Sequence, residues 1–309
     1  MAAGGSTKAV LAALFGNMAI AVAKFAAFFV TGSSSMLAEA IHSTADSGNQ
    51  GLLLWGGRAA KKSPDEEHQF GYGRERYFWS FIVALVLFTL GGGFATFEGI
   101  EKIRHPHEVE NLSVAIAVLV FAIFVEGYSF RTAVVESRRL KKGQTWWSFI
   151  RQARAPELPV VLLEDAGAMI GLVLALIAVV IAKVADAPIW DGIGTLTIGL
   201  LLFAIAIVLM IEMRSLLIGE GAIATDMTKI RSAIEGAPHV QQIIHLRTQH
   251  LGPEELLVGA KVVFDHDLTV AELAAAIDAL ENAIRAEVPY ARPMYIEPDL
   301  QRDPKSLQA

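Results

Sequence analysis

The residues most able to do chemistry lie inside an apolar stretch, in Glu39-Ala-Ile-His42-Ser-Thr-Ala-Asp46. On a helix, His42 and Asp46 are one turn apart on the same face, so both side chains can reach one point. An imidazole nitrogen beside a carboxylate oxygen suits zinc and its first-row neighbours, and four donors in a tetrahedron suit zinc best. Placing an ionised carboxylate in a bilayer costs about 2.5 kcal/mol or more, so such groups mark functional positions by default. The competing reading is a structural contact, with Asp46 bonded to a Ser, Asn or Lys of a neighbouring helix.

Another helix must supply the other half of such a site. Leu162-Leu163-Glu164-Asp165 offers two carboxylates near the start of a later apolar run. Adjacent helical residues diverge by about 100° and share a face poorly. Asp165 is the better inward candidate. Glu164 is longer, and can swing to the same ion, carry a proton, or pair with a surface cation. Asn17 is read as bonding a neighbouring helix. Glu126 is read as pairing with Lys24 or Arg131, or as lining a pathway. Asp65 and His68 in Asp65-Glu-Glu-His68-Gln-Phe70-Gly71-Tyr72-Gly73-Arg74 offer a second ion site, although a solvated acidic loop is the preferred reading.

Apolar runs long enough to position these residues across a bilayer fall at 9–30, 36–58, 78–100, 113–135, 159–184 and 190–217. The second is the least apolar, because it carries Glu39, His42, Asp46, Asn49 and Gln50, but these recur at three- and four-residue steps and so share one face. The link after the second run holds Arg58, Lys61, Lys62, Arg74 and Arg76. The link after the fourth holds Arg138, Arg139, Lys141, Lys142, Arg151 and Arg154. Thr31–Ser35 has no charge, Ala185–Ile189 has only Asp186, and 101–111 is mixed, with Glu108 and Glu110 among its acids. The positive-inside rule therefore predicts both basic links, and both termini, on the cytoplasmic side.

Composition agrees. Of 309 residues, 53% are hydrophobic and only 19% charged, too little charge for a soluble surface of this size. Residues 1–217 carry 18 basic and 18 acidic residues, whereas 218–309 carry 8 and 14, so the formal charge of −6 lies in the last part. A membrane body (1–217) followed by a soluble acidic domain (218–309) is expected. Within the latter, the pattern predicts helix 226–237 with Thr225 as N-cap, strands 240–248 and 255–264, helix 270–287 and a short strand 293–298. This α-β-β-α-β order is that of a small α+β sandwich. Neither a cleaved signal nor a transit peptide is expected from Met1–Lys8. The absence of cysteine excludes disulfides and thiolate metal sites, and no basic aromatic surface suggests nucleic acid.

Together these residues resemble the cation diffusion facilitators. The resemblance rests on six spans, Thr31-Gly32-Ser33 ahead of Leu37-Ala38-Glu39-Ala40-Ile41-His42-Ser43, the His42/Asp46 step, Phe70-Gly71-Tyr72-Gly73-Arg74, and a tail of the right size. The runs Val161–Asp165 and Glu126-Gly127-Tyr128-Ser129 look most like the branch holding a mitochondrial zinc exporter and its bacterial relatives. The resemblance implies a membrane all-α six-helix bundle with a cytoplasmic metallochaperone-like α+β domain. It also implies a homodimer in the lipid bilayer that exchanges Zn2+, or another divalent metal ion, for protons, with the metal held by His42, Asp46, Asp165 and Glu164.

Departures from the family pattern are specific. Its fifth span carries His-x-x-x-Asp, but Val161 stands at the histidine position, which leaves Glu164 as the replacement donor. Tyr72 stands where the loop site has a third ligand. Ile244, Lys261 and Tyr295 stand where tail histidines bind metal, and His239, His245, His250 and His266 do not rebuild that cluster. The expected function is zinc/proton antiport from the cytoplasm across the inner (cytoplasmic) membrane by alternating access, with no enzyme activity. The alternatives are a membrane-bound metal sensor or signalling protein, or a transporter selective for iron(II), manganese, cobalt or nickel.

Overall fold

The computed structural model describes residues 2–31, 34–106, 112–141 and 143–300. The Glu39 side chain and, from the links read above, Gly32, Ser33, Glu108, Glu110 and Lys142 lie outside the described residues. Element order is α1 (Ala2–Thr31), α2 (Ser34–Ala59), α3 (Glu75–Val86), a π-helical segment (Leu87–Gly93), α4 (Phe94–Arg104), α5 (Leu112–Lys141), α6 (Trp146–Gln152), α7 (Glu157–Val184) and α8 (Ile189–Ile218). There follow α9 (Ala224–Glu235), β1 (Val240–Gly252), β2 (Glu255–Phe264), α10 (Val270–Glu287) and β3 (Ala291–Pro298). The chain packs as two units, Met1–Lys61 with Glu75–Arg214, and Lys62–Arg74 with Ser215–Ala309.

The first unit is a bundle of spanning helices. Five helical stretches among the described residues are long and apolar enough to cross a membrane: Ser6–Val30, Glu75–Arg104, Leu112–Lys141, Glu157–Val184 and Ile189–Ile218. Each outruns its apolar window because a helix continues into polar turns once it leaves hydrocarbon. At 26 residues α2 is long enough, about 39 Å, but it is too polar to be recognised by hydropathy. Packing explains how it is tolerated: α2 lies against α1 and α3, and Ser43, Asn49 and Gln50 are buried among helices, away from lipid.

The third span is not one uniform helix. Its centre is π-helical and ends in Gly91-Gly92-Gly93, and the Thr89 hydroxyl donates to the carbonyls of Leu85 and Val86. Hydropathy is blind to this, because widening a helical turn changes no residue's polarity. Beyond it, α4 and α8 approach at backbone distance. A Cβ on Gly99 would sit 2.4 Å from the Leu196 nitrogen, and one on Gly199 2.6 Å from the Thr96 nitrogen. Only glycine permits this contact. At the same end Lys102 bridges Glu98 (3.2 Å) and Asp191 (3.1 Å). Near the opposite ends of the spans, buried Glu157 of α7 accepts from Arg76 of α3 and from Ser6 of α1.

In the second unit β1 pairs antiparallel with β2, and β2 pairs parallel with β3 across the α10 crossover. The core gathers Ile230 and Ile234 of α9, alternate residues Leu256, Val258, Ala260 and Val262 of β2, and Leu280 and Ile284 of α10. Each such aliphatic side chain contributes roughly 1.5–3 kcal/mol by leaving water. Helix α10 opens with a capping box in which Thr269 and Glu272 satisfy each other's backbone amides. Helix α9 starts earlier than expected: its N-cap is Ile223, with no side-chain cap bond, and Thr225 lies inside the first turn. Loop residue Gly73 packs on the β1–β2 hairpin, where a Cβ would meet the Leu251 carbonyl at 2.8 Å.

Candidate metal centre

His42 and Asp46 lie on α2 as their spacing requires, with the imidazole Nε2 3.7 Å from the Asp46 carboxylate. Both are partly exposed, at 32% and 25% of their side-chain surface, so the pair faces an accessible space and is not sealed in the core. Beside it on α2, Ser43 accepts a 3.0 Å hydrogen bond from Lys24 of α1, which fixes the rotation of α2 against α1.

Asp165 and Glu164 of α7 are only 2% and 6% exposed. Asp165 accepts a 2.7 Å hydrogen bond from the Ser129 hydroxyl of α5. Glu164 accepts from the side-chain amides of Asn49 (3.4 Å) and Gln50 (2.8 Å) of α2. Helix α7 therefore presents its two carboxylates to two different neighbours, as adjacent residues 100° apart must. Asn49 and Gln50 lie one turn beyond Asp46 on α2, so their bonds to Glu164 tie the α2 pair to α7. Glu126 of α5 is buried as well.

The structure thus brings the four sequence candidates to one interhelical region as two pairs. It does not close them into a cage: among the described residues, no three His, Asp or Glu side chains converge as an ion would require. The reason is visible in the hydrogen bonds, since Ser129, Asn49 and Gln50 hold the α7 carboxylates. A polar face of α2 was legible in the sequence, but the assignment of Asn49 and Gln50 to Glu164 was not. Ser129 stood in the quoted Glu126–Ser129 motif without a role. Its signal was a hydroxyl one helical turn from an intramembrane acid.

The Asp65/His68 loop has a different organisation. Lys62 donates to Asp65 (2.9 Å) and to the Tyr72 hydroxyl (2.6 Å), while Tyr72 itself donates to Asp65 (2.6 Å). The backbone N–H of His68 also donates to Asp65, and its ring packs on Tyr72. The Tyr72 hydroxyl and the Lys62 ammonium hold the Asp65 carboxyl well below the usual carboxylate range, and the same contacts hold the Lys62 amine above its ordinary value. The loop carboxylate already has an internal cation. In the sheet unit, Lys261 similarly bridges Glu297 (3.0 Å) and Asp299 (2.8 Å), Ile244 and Tyr295 are exposed, His239 pairs with Asp265 at 2.9 Å, and His250 is buried against Tyr290.

A polar seam between spanning helices, joined to a compact α+β unit, defines a multi-span membrane protein built around intramembrane ionisable groups. Residues 10–218 match the cation efflux transmembrane domain and 224–298 the cation efflux protein cytoplasmic domain. The chain belongs to the cation efflux family, the cation diffusion facilitators, whose members are transporters and not enzymes. It is 32% identical over 263 residues to a mitochondrial proton-coupled zinc antiporter of Mus musculus, over 84% of this chain and 46% of that protein. It is 30% identical over 267 residues to a metal tolerance protein of Arabidopsis thaliana, covering 86% and 58%. A magnetosome protein of Magnetospira sp. is 24% identical, covering 86% of each chain. The chain spans about half the length of the first two.

Proposed function

We propose that this chain carries a divalent metal cation, zinc above all, out of the cytoplasm in exchange for protons. The observation that carries the reading is geometric: the buried carboxylates Glu164 and Asp165 of α7 meet the helix that carries His42 and Asp46, through the bonds of Asn49 and Gln50 to Glu164 one turn from Asp46. The zinc antiporter among the relatives supports the choice of ion and of proton as counter-ion. His42, Asp46 and Asp165 form the donor set, and Glu164 joins it when Asn49 and Gln50 release its carboxylate. Metal binding requires these groups deprotonated, so protons arriving from the far side lower affinity and discharge the ion. Rocking of the helices alternates the side to which the site opens.

The basic links orient both termini to the cytoplasm, in the cytoplasmic (inner) membrane. The cytoplasmic unit joins two copies into a homodimer. One nitrogen with up to three oxygens also fits iron(II), cobalt, nickel or manganese, and the imidazole favours zinc over manganese. Flux into proteoliposomes across a panel of these ions, with and without a pH gradient, tests the reading. Zinc uptake driven by the gradient is expected, and wild-type zinc flux in Asp46→Ala would overturn it.

A further inference from the structure

The segment between α5 and α7 has a construction that ion transport does not require. Helix α6 is only seven residues long, yet it is held firmly. Thr145 caps it by accepting from the Ser148 amide at 3.1 Å, Phe149 and Ile150 are buried in the protein, and Arg151 pairs with Glu212 of α8 at 3.3 Å. At its start Trp146 and Trp147 are 38% and 55% exposed. Tryptophan pairs presented outward in this way favour the boundary between hydrocarbon and water, where the ring is dry and the indole N–H is wet.

Cations surround this face. The Lys141 ammonium sits 5.3 Å above the Trp146 ring and donates to the Gln144 carbonyl. Arg138 and Arg139 at the end of α5 are exposed, as is Arg151. The carboxylates that pair with them, Glu136 with Arg139 and Glu212 with Arg151, are themselves 10% and 12% exposed and lie beneath the cations. The outward surface is therefore cationic around an indole pair. Its charge complements the phosphodiester of an anionic lipid headgroup.

We propose that α6 and the end of α5 form an in-plane binding site for an anionic phospholipid headgroup, with Arg138, Lys141 and Arg151 facing the phosphate and Trp146 and Trp147 set in the acyl boundary. Because α6 leads directly into α7 and is pinned to α8 through Glu212, a bound headgroup restrains the entrance to the helix that carries Asp165. The site rests on the membrane reading and not on the identity of the transported ion. A lipid-binding readout therefore stands or falls separately from zinc flux.

The test is full-length protein, delipidated in detergent and titrated with phosphatidylglycerol or phosphatidylcholine, with bound lipid read by native mass spectrometry. Selective retention of phosphatidylglycerol is expected. Arg138→Gln and Lys141→Gln should each weaken it about fivefold, in a salt-dependent manner. Trp147→Ala should weaken it independently of salt. Gln144→Ala, whose side chain lies outside the cationic set, should bind as wild type and controls for general damage. Equal retention of the two lipids, or unchanged phosphatidylglycerol binding in the Arg138 and Lys141 variants, would overturn the proposal. So would displacement by millimolar inorganic phosphate, since the site would then take the free anion and not a lipid.

Discussion

At the scale of single residues, Asp165 is the clearest position to test. It is almost fully buried and accepts a hydrogen bond from the neutral Ser129 hydroxyl, which orients its carboxylate. Asp165→Asn is expected to abolish zinc flux in proteoliposomes while the protein still folds, because the amide keeps the shape and loses the charge. Ser129→Ala should fold normally and, on the proposal that Asp165 is a zinc ligand, weaken zinc affinity about tenfold, the usual cost of removing a partner that aims a metal ligand. Calorimetric zinc binding would read it. Glu164→Gln separates two roles of that residue. Loss of affinity comparable to that in Ser129→Ala is expected if Glu164 joins the donor set, whereas a purely bridging Glu164 would leave affinity unchanged.

At the scale of elements, close helix contacts carry stability that side-chain identity alone would not reveal. Gly99→Ala places a methyl carbon against backbone atoms of Leu196, so α4 and α8 must separate and the melting temperature in detergent should fall. Gly127→Ala meets only the flexible end of Met169 at 3.4 Å and should melt as wild type. The Arg76–Glu157 pair is nearly buried at the starts of α3 and α7. Arg76→Gln strands a buried carboxylate and is expected to cost about 3 kcal/mol, with Glu157→Gln in the same chain restoring most of it. Thermal unfolding of the two single variants and the double variant would measure that coupling.

At the scale of the whole molecule, the sheet unit makes a pH prediction of its own. Gln241 and then His239 hold the Asp265 carboxyl below its ordinary value of 3.8, and the Thr269 hydroxyl and amide hold Glu272 below 4.5. Depressed folded-state values mean that these contacts stabilise the unit above the ordinary carboxylate range. The contribution disappears as pH falls below it and the folded carboxylates take up protons. The protection factors of the α10 amides in the full-length protein, corrected for the intrinsic pH dependence of exchange, should therefore fall below about pH 4.5. Glu272→Gln should show lower protection at neutral pH and a weaker acid dependence of that protection.

The local patterns that a chain must satisfy wherever it folds were legible in advance. Apolar run lengths gave the spans other than α2, the helical step from His42 to Asp46 gave a shared face on α2, and a strong apolar run marked β2 with its boundaries at Glu255 and Phe264. Tertiary structure alone decided which partner each buried polar group takes. Nothing along the chain assigns Asn49 and Gln50 to Glu164, Ser129 to Asp165 or Lys62 to Tyr72, because those contacts depend on how rigid helices and turns are rotated against one another. Hydropathy also could not register the π-helical turn at Leu87–Gly93 or the backbone contact at Gly99. Both are properties of geometry, and a residue's polarity is the same on either side of it.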